Sequence, residues 1–126
     1  MRFSDLNILR QEECHHVFCM TGQYTPKSLN SIMDKPGTNR VEAANNLIEA
    51  AGGKLLSMYS TASEGPGVLV IFDVHDPSAA PAISGTVVAS GPIHNVNLIR
   101  LWTQDEIAKV RQTVSQLRGK YSQPGS

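Results

Sequence analysis

Clustered positive charge is missing from this chain. Eleven basic and eleven acidic residues cancel, and lysine and arginine are scattered, so the electrostatic footprint of a nucleic-acid or anionic-membrane binder is absent. Long apolar runs are missing too. None reaches membrane-spanning length, and Met1 to Glu13 carries charge throughout, without the apolar stretch a secretory leader needs. A soluble cytoplasmic protein with neither nucleic-acid nor membrane partners is expected. Cysteine is scarce: Cys14 and Cys19 are the only two. Their odd spacing puts them on opposite faces of one strand-like segment, which predicts reduced, packed thiols rather than a disulfide.

At 126 residues the chain has single-domain length and can bury roughly two thirds of its unfolded surface. Residues 1–13 form a short N-terminal extension, 14–118 the domain, and 119–126 a polar tail expected to be flexible. His15 to Thr21 reads as a first strand ended by Gly22. Thr25-Pro26 then supplies a helix cap and first-turn proline, and Leu29, Ile32 and Met33 recur at helical spacing. The helix must stop at Asp34-Lys35-Pro36-Gly37, and Asn39 with Glu42 restarts a second one bearing Val41, Ala44, Leu47, Ile48 and Ala51. Gly52 suits the left-handed position at its end. Leu55 to Tyr59 and Val68 to Val74 form a hairpin across Glu64-Gly65-Pro66-Gly67.

A third helix is expected from Ser78 or Ala80 to Gly91-Pro92, weakened by Gly85 and paired valines. His94 to Trp102 reads as a last strand. Thr103 and Glu106 make a capping box for a terminal helix striped with Ile107, Val110, Val114 and Leu117. The sum is an α+β chain on a β-α-β-β-α-β plan with an extra C-terminal helix.

The third strand is apolar on both faces, with Val68, Val70, Phe72 and Val74 on one and Leu69 and Ile71 on the other, so both should be covered. In the last strand Ile99 and Leu101 are expected toward the helices, with Leu98 and Trp102 on the opposite side. Each large side chain left exposed forgoes roughly 1.5–3 kcal/mol. A second copy of the chain is the simplest cover, giving a homodimer or larger closed oligomer.

Candidate chemistry is sparse. His15 and His16 are adjacent on a strand and point oppositely, and His75 and His94 have no ligand spacing to them, so no metal site is expected. His16, alternating with Phe18 and Met20, is the histidine expected toward an apolar cavity, where it could work as acid or base near neutral pH. Arg100 lies within an apolar strand and needs a carboxylate, backbone carbonyls or an anionic ligand; Asp73 and Glu64 are the structural partners considered. Tyr59 places a phenol in another apolar strand and could close a pocket with Arg100. The turn Glu64-Gly65-Pro66-Gly67 joins two strands and has no neighbouring lysine, so it is no phosphate loop. Nucleophilic triad signatures are absent, and no cofactor is expected.

The ordered set Gly22-Gln23-Tyr24-Thr25, Arg40-Val41-Glu42-Ala43-Ala44, Gly52-Gly53-Lys54, Tyr59-Ser60-Thr61, Val70-Ile71-Phe72 and Ile99-Arg100-Leu101-Trp102-Thr103 resembles the GYD-domain family over about Val17 to Val110. The resemblance implies small bacterial proteins of the dimeric α/β-barrel, ferredoxin-like superfamily. It implies a four-stranded antiparallel sheet with the first and third strands central, which their continuous apolar character supports. Ser63-Glu64-Gly65-Pro66-Gly67 stands where the family's Gly-Tyr-Asp motif would lie, so roles resting on that tyrosine and aspartate do not carry over. The family is of unassigned function, and the wider superfamily includes cofactor-free monooxygenases, haem-handling enzymes and lactone isomerases.

Two functions are weighed. One is a homo-oligomeric small-ligand-binding or assembly domain without catalysis, with His16, Tyr59 and Arg100 as candidate ligand-binding residues. The alternative is a cofactor-independent monooxygenase or isomerase acting on a small aromatic or anionic substrate, with His16 as base and Arg100 holding the anion.

Overall fold

A computed structural model describes residues 15–62 and 65–125. Among them the order is β1 (His16–Tyr24), α1 (Pro26–Asp34), α2 (Arg40–Ala50), β2 (Gly53–Thr61), β3 (Gly67–Val74), α3 (Ala79–Ser90), β4 (Ile93–Leu101) and α4 (Gln104–Leu117). The N-terminal extension with Cys14, and Ser63 and Glu64 of the central turn, lie outside the described residues.

Local chemistry starts and stops these helices where the side chains predict. Thr25 accepts a hydrogen bond from the Ser28 backbone N–H at 3.2 Å, with Pro26 opening α1. Asn39 does the same for Glu42 at 3.0 Å ahead of α2. Thr103 and Glu106 exchange both capping-box bonds, each 3.1 Å, ahead of α4. One such cap contributes about 1 kcal/mol. Gly52, with φ +81°, turns the chain out of α2 in a conformation that a Cβ would strain. The helix α3 begins at Ala79, so Pro81 falls in its first turn, where a missing N–H removes no intrahelical bond.

The strands form one antiparallel sheet in the order β2-β3-β1-β4, so β1 and β3 are central. Register places Phe18 opposite Phe72, Met20 opposite Val70 and Gly22 opposite Val68. The side chains of Phe18, Met20, Val68, Val70, Phe72 and Val74 face the helices and join Ile48 of α2 and Ala80 and Ile83 of α3 in the core. The Phe18 and Phe72 rings stack with centroids 6.0 Å apart.

Two expectations are corrected. The first strand does not end at Gly22 but runs on to Tyr24. Gly22 serves packing instead: a Cβ there would run into the Ile93 side chain, and one on Gly67 would run into the Gly22 carbonyl oxygen. The second correction concerns β4, whose faces are the reverse of the expected ones. Leu98 lies opposite Met20 and packs on the core, whereas Ile99 lies opposite Cys19 and is 48% exposed. An irregularity in pairing between Thr21 and Gln23, where Asn95 takes φ +52°, sets this phase.

The far face of the sheet carries Leu69, Ile71, Leu101, Ile99 and Tyr59, all partly or largely exposed, around the buried Cys19. Burial pushes the Cys19 thiol pKa up, which keeps it protonated and unreactive. No residue of α4 is buried, and Val110, Val114 and Leu117 of its apolar stripe are exposed. Among the described residues no helix is long and apolar enough to cross a membrane.

Candidate functional site

His16, Tyr59 and Arg100 do not converge. His16 begins β1 opposite Val74, and its backbone N–H donates to Asp73 Oδ1 at 3.0 Å. Its Nδ1 lies 3.1 Å from the His75 carbonyl oxygen and 3.3 Å from that of Val74. Carbonyl oxygens only accept, so Nδ1 carries a proton and is committed to the backbone. The neighbouring His15 ring bonds the Asp73 carboxylate.

Arg100 lies on the same face as His16, opposite Phe18. Its Nη1 donates to the carbonyl oxygens of Val17, at 3.0 Å, and Leu101, and its Nη2 donates to Glu106 Oε2 at 3.1 Å. The guanidinium stacks over Trp102, 4.2 Å from the ring centroid, and over Phe18 at 5.5 Å. The partner of Arg100 is thus Glu106 rather than Asp73, which is held by the two histidines. Glu106 is itself kept below the usual carboxylate range, first by the Thr103 backbone N–H and also by Arg100. Tyr59 sits across from Leu69, on the opposite face of the sheet from Arg100, and is 61% exposed. The expected closure of one pocket by Tyr59 and Arg100 does not occur.

The concave feature lies elsewhere. Between the sheet and helices α2 and α3 is a cavity of about 230 Å³, walled by Met20, Met58 and Val70 of the sheet, Leu47 and Ile48 of α2 and Ile83 of α3. Tyr24 and Arg40 also line it, and both belong as well to two adjoining surface depressions. One of these, about 430 Å³, adds Lys27 and Lys35 from α1 and its end. Among the described residues no aspartate or glutamate lines any of the three.

Arg40 is the first residue of α2, following the Asn39 cap. Its Nε is buried and has no hydrogen-bond partner among the described residues. Leaving a buried donor unmade costs about 1–3 kcal/mol, more when the group is charged. A cation also sits poorly at a helix N-terminus, where the macrodipole is positive and disfavours it by about 0.3–1 kcal/mol. That misplacement is the sequence signal that sets Arg40 apart, and it lies on a helix rather than within the apolar strands that hold His16, Tyr59 and Arg100.

Among the described residues no three His, Cys, Asp or Glu side chains gather into a metal-ligand cluster. The family model described as GYD domain matches residues 18–110, from β1 into α4. No curated protein matches the chain.

Proposed function

The chain belongs to the GYD domain family, and we propose that within it this protein is a homo-oligomeric small-ligand-binding protein. Its cavity between the sheet and α2 and α3 receives a small apolar or aromatic molecule, and the far face of the sheet packs against a second copy. The observation that carries the reading is the cavity itself: a mostly apolar space of about 230 Å³ on the helix side of the sheet, with a few polar groups at Tyr24, Arg40, Thr86 and Ser90. Ligand pockets have this composition, with apolar walls supplying affinity and a few polar groups fixing orientation. Exposed Ile99 and Tyr59, and the uncovered stripe of α4, are the surfaces that favour self-association.

Binding is favoured over cofactor-independent oxygenation or isomerisation because His16 and Arg100 do not line that cavity. The Glu106 partner of Arg100 also gives that residue a structural role.

The test joins calorimetry with light scattering. Toluene is expected to bind the wild type and to lose binding in Ala44→Phe, because Ala44 lines the cavity and a phenyl ring there occupies the ligand's space. Wild type and variant are both expected to scatter as oligomers. Absence of binding to the wild type contradicts the ligand reading, and a clean monomer at micromolar concentration contradicts the assembly.

A further inference from the structure

We infer that the ligand of this cavity is a carboxylic acid with a small apolar body, a single aromatic ring or an alkyl chain of similar size, and that Arg40 binds its carboxylate. The inference rests on the cavity being a ligand site and adds the ligand's chemical class.

Size suits the body. A dry apolar cavity of about 150 Å³ accepts benzene, so about 230 Å³ has room for one ring with a short side chain. Met20, Leu47, Ile48, Met58 and Ile83 offer that body only carbon and sulfur. Charge sets the head. Arg40 lines the cavity and both adjoining depressions, its Nε is buried without a partner, and it enters no ion pair among the described residues. A guanidinium presents Nε and one Nη along a single edge, spaced to donate to the two oxygens of a carboxylate. A planar monoanion at this edge satisfies the buried donor while its apolar end lies among the methionines and aliphatic side chains. Lys27 and Lys35 in the adjoining depression, with no carboxylate among its described lining residues, add a field that favours an anion approaching from that side.

Phenylacetate and phenylacetamide have nearly the same shape and differ in charge at the head, so the pair separates recognition of the body from recognition of the anion. By titration calorimetry wild type is expected to bind phenylacetate roughly tenfold or more tightly than phenylacetamide, the margin of a charge-assisted hydrogen bond. In Arg40→Gln that preference is expected to collapse toward unity, chiefly through loss of phenylacetate affinity. The Arg40 Nε–H resonance of the wild type is expected to shift further at saturation with phenylacetate than with phenylacetamide, a readout that needs no variant to fold. Equal binding of both compounds to wild type overturns the carboxylate inference and leaves the cavity reading intact. A preference that persists in Arg40→Gln overturns the assignment to Arg40. Failure of both compounds to bind wild type overturns the inference and the cavity reading together.

Discussion

Arg100 and Glu106 join the last strand to the terminal helix: Nη2 of the arginine donates to Oε2 of the glutamate at 3.1 Å, while Oε1 of the same carboxylate accepts the Thr103 backbone N–H at 3.1 Å. One side chain therefore caps α4 and ties it to β4. Because α4 has no buried residue, this anchor matters locally. Glu106→Ala is expected to lower the local stability of α4 by about 1 kcal/mol, the size of a lost cap plus a partly exposed ion pair. Amide exchange in α4 should quicken roughly fivefold, with β3 amides unaffected. Unchanged exchange in α4 would contradict the anchoring role.

Acid should release the same anchor. The Glu106 carboxyl is held below its ordinary value, chiefly by the Thr103 N–H and further by Arg100. A depressed folded pKa means the stabilisation is complete above the unfolded value, about 4.3 for glutamate, and is lost as pH falls through the lower folded value. Exchange in α4 is thus expected to be steady from neutral pH down to about 5 after correction for intrinsic rates. Below about 4 it should accelerate. In Glu106→Gln the carboxyl's contribution to that acid step should disappear, as measured by the same exchange experiment.

Two glycines should respond oppositely to alanine. At Gly67 a new Cβ meets the Gly22 backbone oxygen, which cannot move aside as a side chain does, so Gly67→Ala is expected to destabilise by about 1–3 kcal/mol. Gly85 lies exposed within α3 with nothing within 4 Å of its Cβ position, so Gly85→Ala is expected to stabilise by about 0.5–1 kcal/mol. Thermal and urea unfolding of both variants would check the signs.

Neighbouring residues of β4 should separate assembly from folding. Ile99 is on the open face and Leu98 packs on the core. The proposed oligomer predicts that Ile99→Asp yields a folded monomer in light scattering. Leu98→Asp buries a charge and is expected to cost about 3 kcal/mol or more. If Ile99→Asp remains oligomeric, the open face is not the contact.

Much of this architecture is legible in single residues. Thr25-Pro26, Asn39 with Glu42, and Thr103 with Glu106 each mark a helix start by local hydrogen bonding, and those bonds form. The family resemblance implies that β1 and β3 are central, their continuous apolar character agrees with it, and the strand order bears it out. The faces of β4 are not legible in the same way, because Leu98, Ile99 and Leu101 are apolar on both phases of the alternation. Their phase depends on pairing between distant residues and on the irregularity at Thr21 and Gln23. The site is harder still. Arg40 reaches the cavity only because α2 lies against β2, a relation that no local spacing encodes. Arg100 looks like a ligand residue in one dimension, yet Glu106, six positions on, neutralises it.

The methionines report directly on the proposed entry of a small molecule between the sheet and the helices. Met20 and Met58 line the cavity, whereas Met33 is 65% exposed on α1. With methionine methyl groups labelled with carbon-13, titration with phenylacetate is expected to shift the Met20 and Met58 signals together along one saturable curve and leave Met33 in place. Saturable shifts confined to Met33, or no saturable shift at Met20 and Met58, would contradict it.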